Sequence, residues 1–150
     1  MRNHAIKLAV FLALPSSQLA FAGPYAEDLS KCLVASASQE DKLTVIKWVI
    51  AAASLHPAVK PMTSVSEQEL DDANKNTADL LMRLLTVSCR SEAEKALQYE
   101  GALPFQTSFQ ALGQAAGNEL FGSPEVSMAT AGVAKYLDRE KLEALGGRSK

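Results

Sequence analysis

The chain has 150 residues, of which 15 are basic and 17 acidic, so its formal net charge at neutral pH is −2. Nucleic acids and anionic membrane surfaces are bound mainly through clustered Lys and Arg, and this sequence has no such cluster, so neither is an expected partner. Hydrophobic residues make up 47% of the chain and aromatic residues only 6%, a composition rich in Ala, Leu and Val that favours closely packed helices over strands.

The first 22 residues have the pattern of a secretory signal peptide. Two basic residues and no acid precede an unbroken apolar run over 8–14, and Ala20 and Ala22 place small residues where a signal peptidase reads them. The run is far shorter than the roughly 20 residues needed to cross a bilayer, so an integral membrane protein is not expected. The sequence predicts a cleaved segment over 1–22 and one mature domain over 23–150 that is periplasmic or secreted. That domain keeps 13 basic against 17 acidic residues, because the leader holds two basic residues and no acid.

Cys32 and Cys89 both lie in the part predicted to be exported. An even number of cysteines in an oxidising compartment is typical of disulfides, and two cysteines allow one pairing. The alternatives, c-type haem attachment or a thioredoxin-like site, need Cys-x-x-Cys, which these distant residues do not form. We therefore expect a structural Cys32–Cys89 disulfide and no cofactor.

Helical spacing of apolar residues predicts a first helix over 25–34 and a second that starts from a capping box at Ser38 and Asp41. The second helix is apolar nearly all round from 43 to 55, which is typical of a helix in the middle of a bundle. The dipeptide at 56–57 ends it, because the residue before a proline avoids helical angles. We expect this second helix to be the central one.

Two more capping-box patterns predict the starts of the third and fourth helices: Ser66 with Glu69, and Ser91 with Glu94. The third helix should be amphipathic and end near Cys89, and the fourth should end at Gly101 in a left-handed cap. Apolar residues that recur every three or four positions from Phe105 predict a fifth helix that ends at about 122. On it, Gly113 and Gly117 are interpreted as a face for close helix packing, since each glycine costs roughly 1 kcal/mol in a helix interior.

Capping residues and apolar spacing after position 122 predict two further helices. Ser123 is a cap and Pro124 suits a first helical position, and the next helix carries an apolar stripe of Val126, Ala129, Val133 and Leu137. A short helix over 138–145 follows. The fold class is therefore all-α, a single compact bundle of five to seven helices with one disulfide.

Candidate reactive residues are few. His56 is the one histidine after the leader, and a metal site or a catalytic role there competes with simple capping of helix carbonyls. Asp72, Asn74 and Asn76 resemble the opening of a calcium loop, but Thr77 stands where the loop needs glycine and Arg83 where it needs a bidentate Glu. A solvated helix face is the alternative interpretation of these residues. No catalytic or metal-binding residue is predicted.

Two candidate surfaces remain. Five residues of the fifth helix could line a groove for an apolar ligand or a partner helix, or could belong to the core: Phe105, Phe109, Leu112, Gly113 and Gly117. Asp71 and Asp72 could form an acidic docking patch for a basic partner, or a solvated face.

Three stretches carry a resemblance: 84–90 (LLTVSCR), 96–101 (ALQYEG) and 111–114 (ALGQ). Together with their surroundings they resemble a group of small exported helical proteins of Gram-negative bacteria, to which no activity is attached. The resemblance implies a location and a size, and transfers no functional residue.

Export, a predicted disulfide and the lack of a catalytic motif favour a non-enzymatic interaction or accessory protein of the bacterial cell envelope. Its partner would be an unidentified envelope protein. The alternative is a helical carrier of a lipid or another apolar small molecule, and an enzyme built around His56 is the third hypothesis.

Overall fold

A computed structural model describes residues 23–146, and in that range the chain forms seven α-helices, no β-strand and one disulfide, which confirms the all-α prediction. The helices are α1 (Pro24–Ser36), α2 (Gln39–Ala53), α3 (Glu67–Arg83), α4 (Arg90–Glu100), α5 (Leu103–Gly122), α6 (Pro124–Ala131) and α7 (Arg139–Gly146). Short 3₁₀ turns lie at Lys60–Met62 and Gly132–Tyr136, and a π turn at Leu84–Ser88. The predicted signal peptide over 1–22 and the basic tail at 148–150 lie outside the described residues.

Local capping signals fix most helix starts. The Ser38 and Ser66 capping boxes both form, and the Ser66 hydroxyl accepts the N–H of Glu69 at 3.2 Å while the Glu69 carboxylate accepts the N–H of Ser66 at 2.8 Å. Ser123 caps α6 through the N–H of Val126. Gly101 ends α4 with a φ of 74°, which glycine adopts at little steric cost, but its ψ of −145° lies outside the left-handed helical region, so the predicted left-handed cap is wrong.

The capping box predicted at Ser91 is wrong. The chain leaves α3 through the π turn, in which the N–H of Cys89 donates to the carbonyl of Leu84 at 2.8 Å, and α4 already begins at Arg90. Glu94 therefore lies too far into the helix to cap it, and instead pairs with Arg90 at 2.8 Å. A π turn inserts one residue and so changes the face on which the next residue lies, and here that residue, Cys89, is fully buried.

The core lies between α1 and α5, with α4 packed against both helices, α2 packed against α5, and α3 packed against α2. Its fully buried residues include Leu29 and Leu33 of α1, Leu84 of the π turn and Ala96 of α4, and Leu112 of α5 is buried with them. The Cys32–Cys89 disulfide forms as predicted and ties α1 to the end of the π turn.

The prediction that the second helix is central is wrong. In α2 only Val45 and Ala51 are buried, while Trp48, Val49 and Ile50 are exposed. α2 packs against α3 and α5 alone, so its outer side meets no other described helix. The short α1 is central instead, because its stripe of small and branched residues reaches α4, α5 and the π turn at once.

The prediction that another helix packs closely against Gly113 and Gly117 of α5 is also wrong. A Cβ built on Gly113 or on Gly117 meets no heavy atom within 4 Å outside its own helix, among residues 23–146. Both positions are partly exposed. The core side of α5 is formed by Leu112 and Ala116, one position before each glycine.

Candidate interaction surface

The C-terminal segment 124–146, called the arm below, extends from the end of α5 and buries none of its residues. α6 contacts only α5 and the 3₁₀ turn that follows it, and α7 contacts no other element of the part of the chain described. The single helix predicted to carry an apolar stripe here is wrong, because α6 ends at Ala131, Val133 lies in the 3₁₀ turn and Leu137 follows that turn.

The arm is rich in large exposed apolar side chains, which are Met128, Val133, Tyr136, Leu137, Leu142 and Leu145. The start of α7 is locally ordered by polar contacts: Asp138 accepts the N–H of Lys141 at 3.2 Å, and its second oxygen pairs with the ammonium of Lys141 at 3.1 Å. These contacts hold the carboxyl pKa of Asp138 below its usual value, the backbone N–H being the larger cause. The arm is thus helical and capped, yet apolar on its outside.

A second apolar surface is a groove between the end of α3, α4 and α5, with a volume of about 450 Å³, called the α4 groove below. Its walls are apolar side chains, and its polar edge is the pair of Arg90 with Glu94, the lining being Met82, Leu85, Thr86, Arg90, Ala93, Glu94, Leu97 and Phe105. The groove is open to solvent, so an apolar occupant would exchange water for Met, Leu and Phe surface.

The five residues proposed as a ligand face do not form one surface. Phe105 lines the α4 groove, and Phe109 is half-buried against the core. Leu112 is buried inside the core, and the two glycines lie beside it with open space at their Cβ positions. The structure thus places one of the five, Phe105, at the groove.

The proposed acidic patch consists of exposed side chains on α3. Asp71 and Asp72 are both exposed, and Asp72 accepts a hydrogen bond from Gln68 at 3.1 Å one turn earlier. Asp72 also lines a shallow cleft between α2 and α3 together with Glu69 and the basic Lys47. The patch is therefore helical and solvated, with mixed charge around it.

The calcium-like residues and His56 both have structural roles. α3 runs without a break through 72–76, and Asn74 accepts a hydrogen bond from the indole N–H of Trp48 at 2.9 Å, tying α2 to α3. His56 is exposed in the turn after α2, where its Nδ1 accepts the N–H of Ala58 at 3.2 Å. Within residues 23–146 no group of three or more His, Cys, Asp and Glu side chains is placed to hold a metal ion.

The arm is the feature that sequence reasoning missed. The apolar spacing at Val126, Ala129, Val133 and Leu137 is the same for a helix packed on its own core and for one whose partner is another molecule. The sequence contained one signal for the arm. Gly122 and Pro124 separate it from α5, and Gly132 ends α6 early.

None of the helices in the described residues is both long enough and apolar enough to span a bilayer. No family model matches the chain, and neither a search of curated proteins nor one of solved structures finds a significant match.

Proposed function

We propose that this chain is a non-enzymatic interaction or accessory protein of the bacterial cell envelope, exported by its leader, and that the arm is the segment that binds its partner. The observation that carries the proposal is the exposed apolar surface of the arm. Full burial of one Leu, Val or Met side chain is worth about 1.5–3 kcal/mol, so the five exposed Leu, Val and Met side chains of the arm favour association with another surface.

Three further observations support the proposal. The core, which contains the disulfide, is formed by residues of α1–α5 and the segments between them, and no residue of the arm belongs to it. The disulfide fits an oxidising compartment. The resemblance to small exported helical proteins agrees with the same location.

A matched pair of exposed valines tests the proposal. Val133 of the arm is 62% exposed and Val87 of the π turn is 72% exposed, so neither substitution by Asp should disturb the core. With chemical crosslinking in the native envelope, we expect the wild type and Val87→Asp to give one complex of discrete size and Val133→Asp to lose it. If Val133→Asp keeps the complex, or if the wild type gives none, the arm is not the binding segment.

The test also needs a protein without the arm. A chain ending at Gly122 keeps every buried residue of the described structure, so its free energy of unfolding should stay within about 0.5 kcal/mol of the full chain, as for surface changes generally. Urea unfolding followed by circular dichroism measures this. A larger loss would mean that the arm packs on the core.

The second candidate function, a carrier for a lipid or another apolar small molecule, is favoured by the α4 groove. Leu97 lines the groove and is 56% exposed, whereas Leu103 is 52% exposed and lies outside its lining. Titration with a fluorescent fatty acid should show saturable binding to the wild type and to Leu103→Arg, and none to Leu97→Arg. Equal binding to the two variants would exclude this groove.

A further inference from the structure

The N-terminus of the central helix α1 is capped by a residue from another helix. Gly23 stands at the cap position and has no side chain to offer, so the first N–H groups of α1 have no local acceptor. Glu100, the last residue of α4, supplies both of its carboxylate oxygens: Oε1 accepts the N–H of Tyr25 at 2.9 Å and Oε2 that of Ala26 at 3.1 Å. Glu100 therefore does what an N-cap Ser or Asp ordinarily does.

Space, rather than backbone conformation, favours glycine at position 23, because any side chain there would displace the Glu100 carboxylate from the position in which it caps α1. The Gly23 φ of −72° is open to every residue, but a Cβ built there would overlap the Glu100 carboxylate. Oε2 of Glu100 lies 2.8 Å from that Cβ position. The backbone nitrogen and the Cβ are both bonded to the same Cα, so the nitrogen of Gly23 lies within about 5 Å of this oxygen.

We propose that Glu100 is the binding site for the amino terminus that leader cleavage creates at Gly23. This inference rests on the proposed export and on cleavage after Ala22. Hydrolysis of the Ala22–Gly23 peptide bond consumes one water and leaves a carboxylate on Ala22 and an ammonium on Gly23. A neutral amide nitrogen next to Glu100 thus becomes a cation, and an ion pair forms that the uncleaved chain cannot make.

The ion pair acts at one end of a helix whose other end is already fixed. Tyr25 stacks on Tyr99 with ring centroids 4.8 Å apart, so the same two segments are aligned by an aromatic contact next to the carboxylate. Farther along α1, Cys32 is bonded to Cys89. Leader removal therefore completes the attachment of α1 to α4, and α1 carries Leu29 and Leu33 of the core.

Three forms of the oxidised protein test the inference, each made from a cleavable fusion. The first begins at Gly23 with a free amine, the second is the same chain with the amine acetylated, and the third begins at Ala22, which moves the ammonium one residue away. At low salt we expect the free-amine form to have a folding equilibrium constant about twofold to fivefold larger than the other two, the range measured for partly exposed ion pairs.

Two controls identify the carboxylate as the cause. In 1 M NaCl the advantage of the free amine should disappear, because the Debye length falls to about 3 Å. In Glu100→Gln, whose amide oxygen still accepts one N–H, the free-amine form should be no more stable than the other two, because a cation at a helix N-terminus is disfavoured by the helix dipole. Equal stability of the three wild-type forms at low salt, or an advantage that persists in Glu100→Gln, would overturn the inference. The salt control keeps the test valid if Glu100→Gln fails to fold.

The outcome is separable from that of the proposed function. All three amino termini are made in vitro, so their stabilities do not depend on export or on a partner of the arm. Export itself fails if the protein isolated from its envelope still carries residues 1–22 by mass.

Discussion

The Cys32–Cys89 disulfide should contribute a large share of the stability of this small domain. It closes a loop of 57 residues between α1 and the π turn. In the chain-entropy model, cross-linking a loop of that length lowers the entropy of the unfolded chain by an amount worth about 4 kcal/mol at 25 °C. Natural single domains are stable by about 5–15 kcal/mol, so a reduced chain should fold only marginally.

Urea unfolding followed by circular dichroism measures the effect in three proteins: the oxidised wild type, the reduced wild type, and a double variant with Cys32→Ala and Cys89→Ala. The reduced protein retains every heavy atom of the oxidised one. Its lower free energy of unfolding therefore measures the effect of the cross-link alone. The double variant should lose slightly more, because Cys89 is fully buried and truncation leaves a small cavity. A reduced protein within about 1 kcal/mol of the oxidised one would refute this reasoning, since it would mean that the unfolded chain is already constrained.

Four other substitutions follow from the structure, each measured by the same urea assay. Gly113→Ala and Gly117→Ala should each stabilise the protein by up to about 1 kcal/mol, because a Cβ meets open space at both positions of α5. Thr77→Val should stabilise by about 1 kcal/mol, because the buried Thr77 hydroxyl has no hydrogen-bond partner among residues 23–146 and valine has nearly the same shape. Asp41→Asn should destabilise at pH 7, because Asp41 pairs with Arg83 at 2.8 Å and so links α2 to α3.

The Asp41 prediction has a definite pH dependence. Burial raises the pKa of Asp41, but the hydrogen bonds from Ser38 and from Arg83 outweigh it, so the pKa lies below its ordinary value. A carboxyl whose pKa is lowered by folding stabilises the protein above the unfolded pKa of about 3.9 and loses that contribution as the pH falls through the folded value. The difference between wild type and Asp41→Asn should therefore shrink below about pH 4 and be lost as the pH falls through the lowered pKa of folded Asp41.

Each of these predictions has a contradicting result. Destabilisation by either glycine replacement would mean that α5 has a close neighbour at that face. Thr77→Ala serves as the control for Thr77→Val and should destabilise the protein, because it also removes a buried methyl group. A Thr77→Val protein no more stable than Thr77→Ala would contradict the prediction. For Asp41→Asn, a cost at pH 2 as large as that at pH 7 would exclude an electrostatic origin.

Features that depend on a few adjacent residues could be predicted from the sequence. The capping boxes at Ser38 and Ser66 and the positive φ of Gly101 are such features, because each depends on hydrogen bonds or sterics within one turn. The disulfide was predictable because two cysteines allow one pairing. At Ser91 the same local logic failed, since α4 begins directly after the π turn with Cys89 at its cap position, two residues before the predicted cap.

Features that depend on what covers a surface could not be predicted. The apolar α2 indicated a central helix, yet the outer side of α2 carries exposed Trp48 and Ile50, because the number of apolar residues does not say which of them meet a neighbour. The arm shows the same limit. Its apolar residues were predicted to form one helical stripe, but the helix ends at Ala131, and the position of the arm outside the core follows only from the tertiary contacts. The Glu100 cap on α1 joins residues 75 positions apart, which no local pattern indicates.

Native mass spectrometry of the protein isolated from its own envelope, without added detergent, tests the central claim most directly. The account predicts a chain of residues 23–150, two hydrogens lighter than its reduced mass, in complex with another polypeptide, and predicts that a chain ending at Gly122 is found alone. A full-length mature chain found alone, or one carrying only a small molecule of a few hundred daltons, would contradict the claim that the arm binds a partner protein.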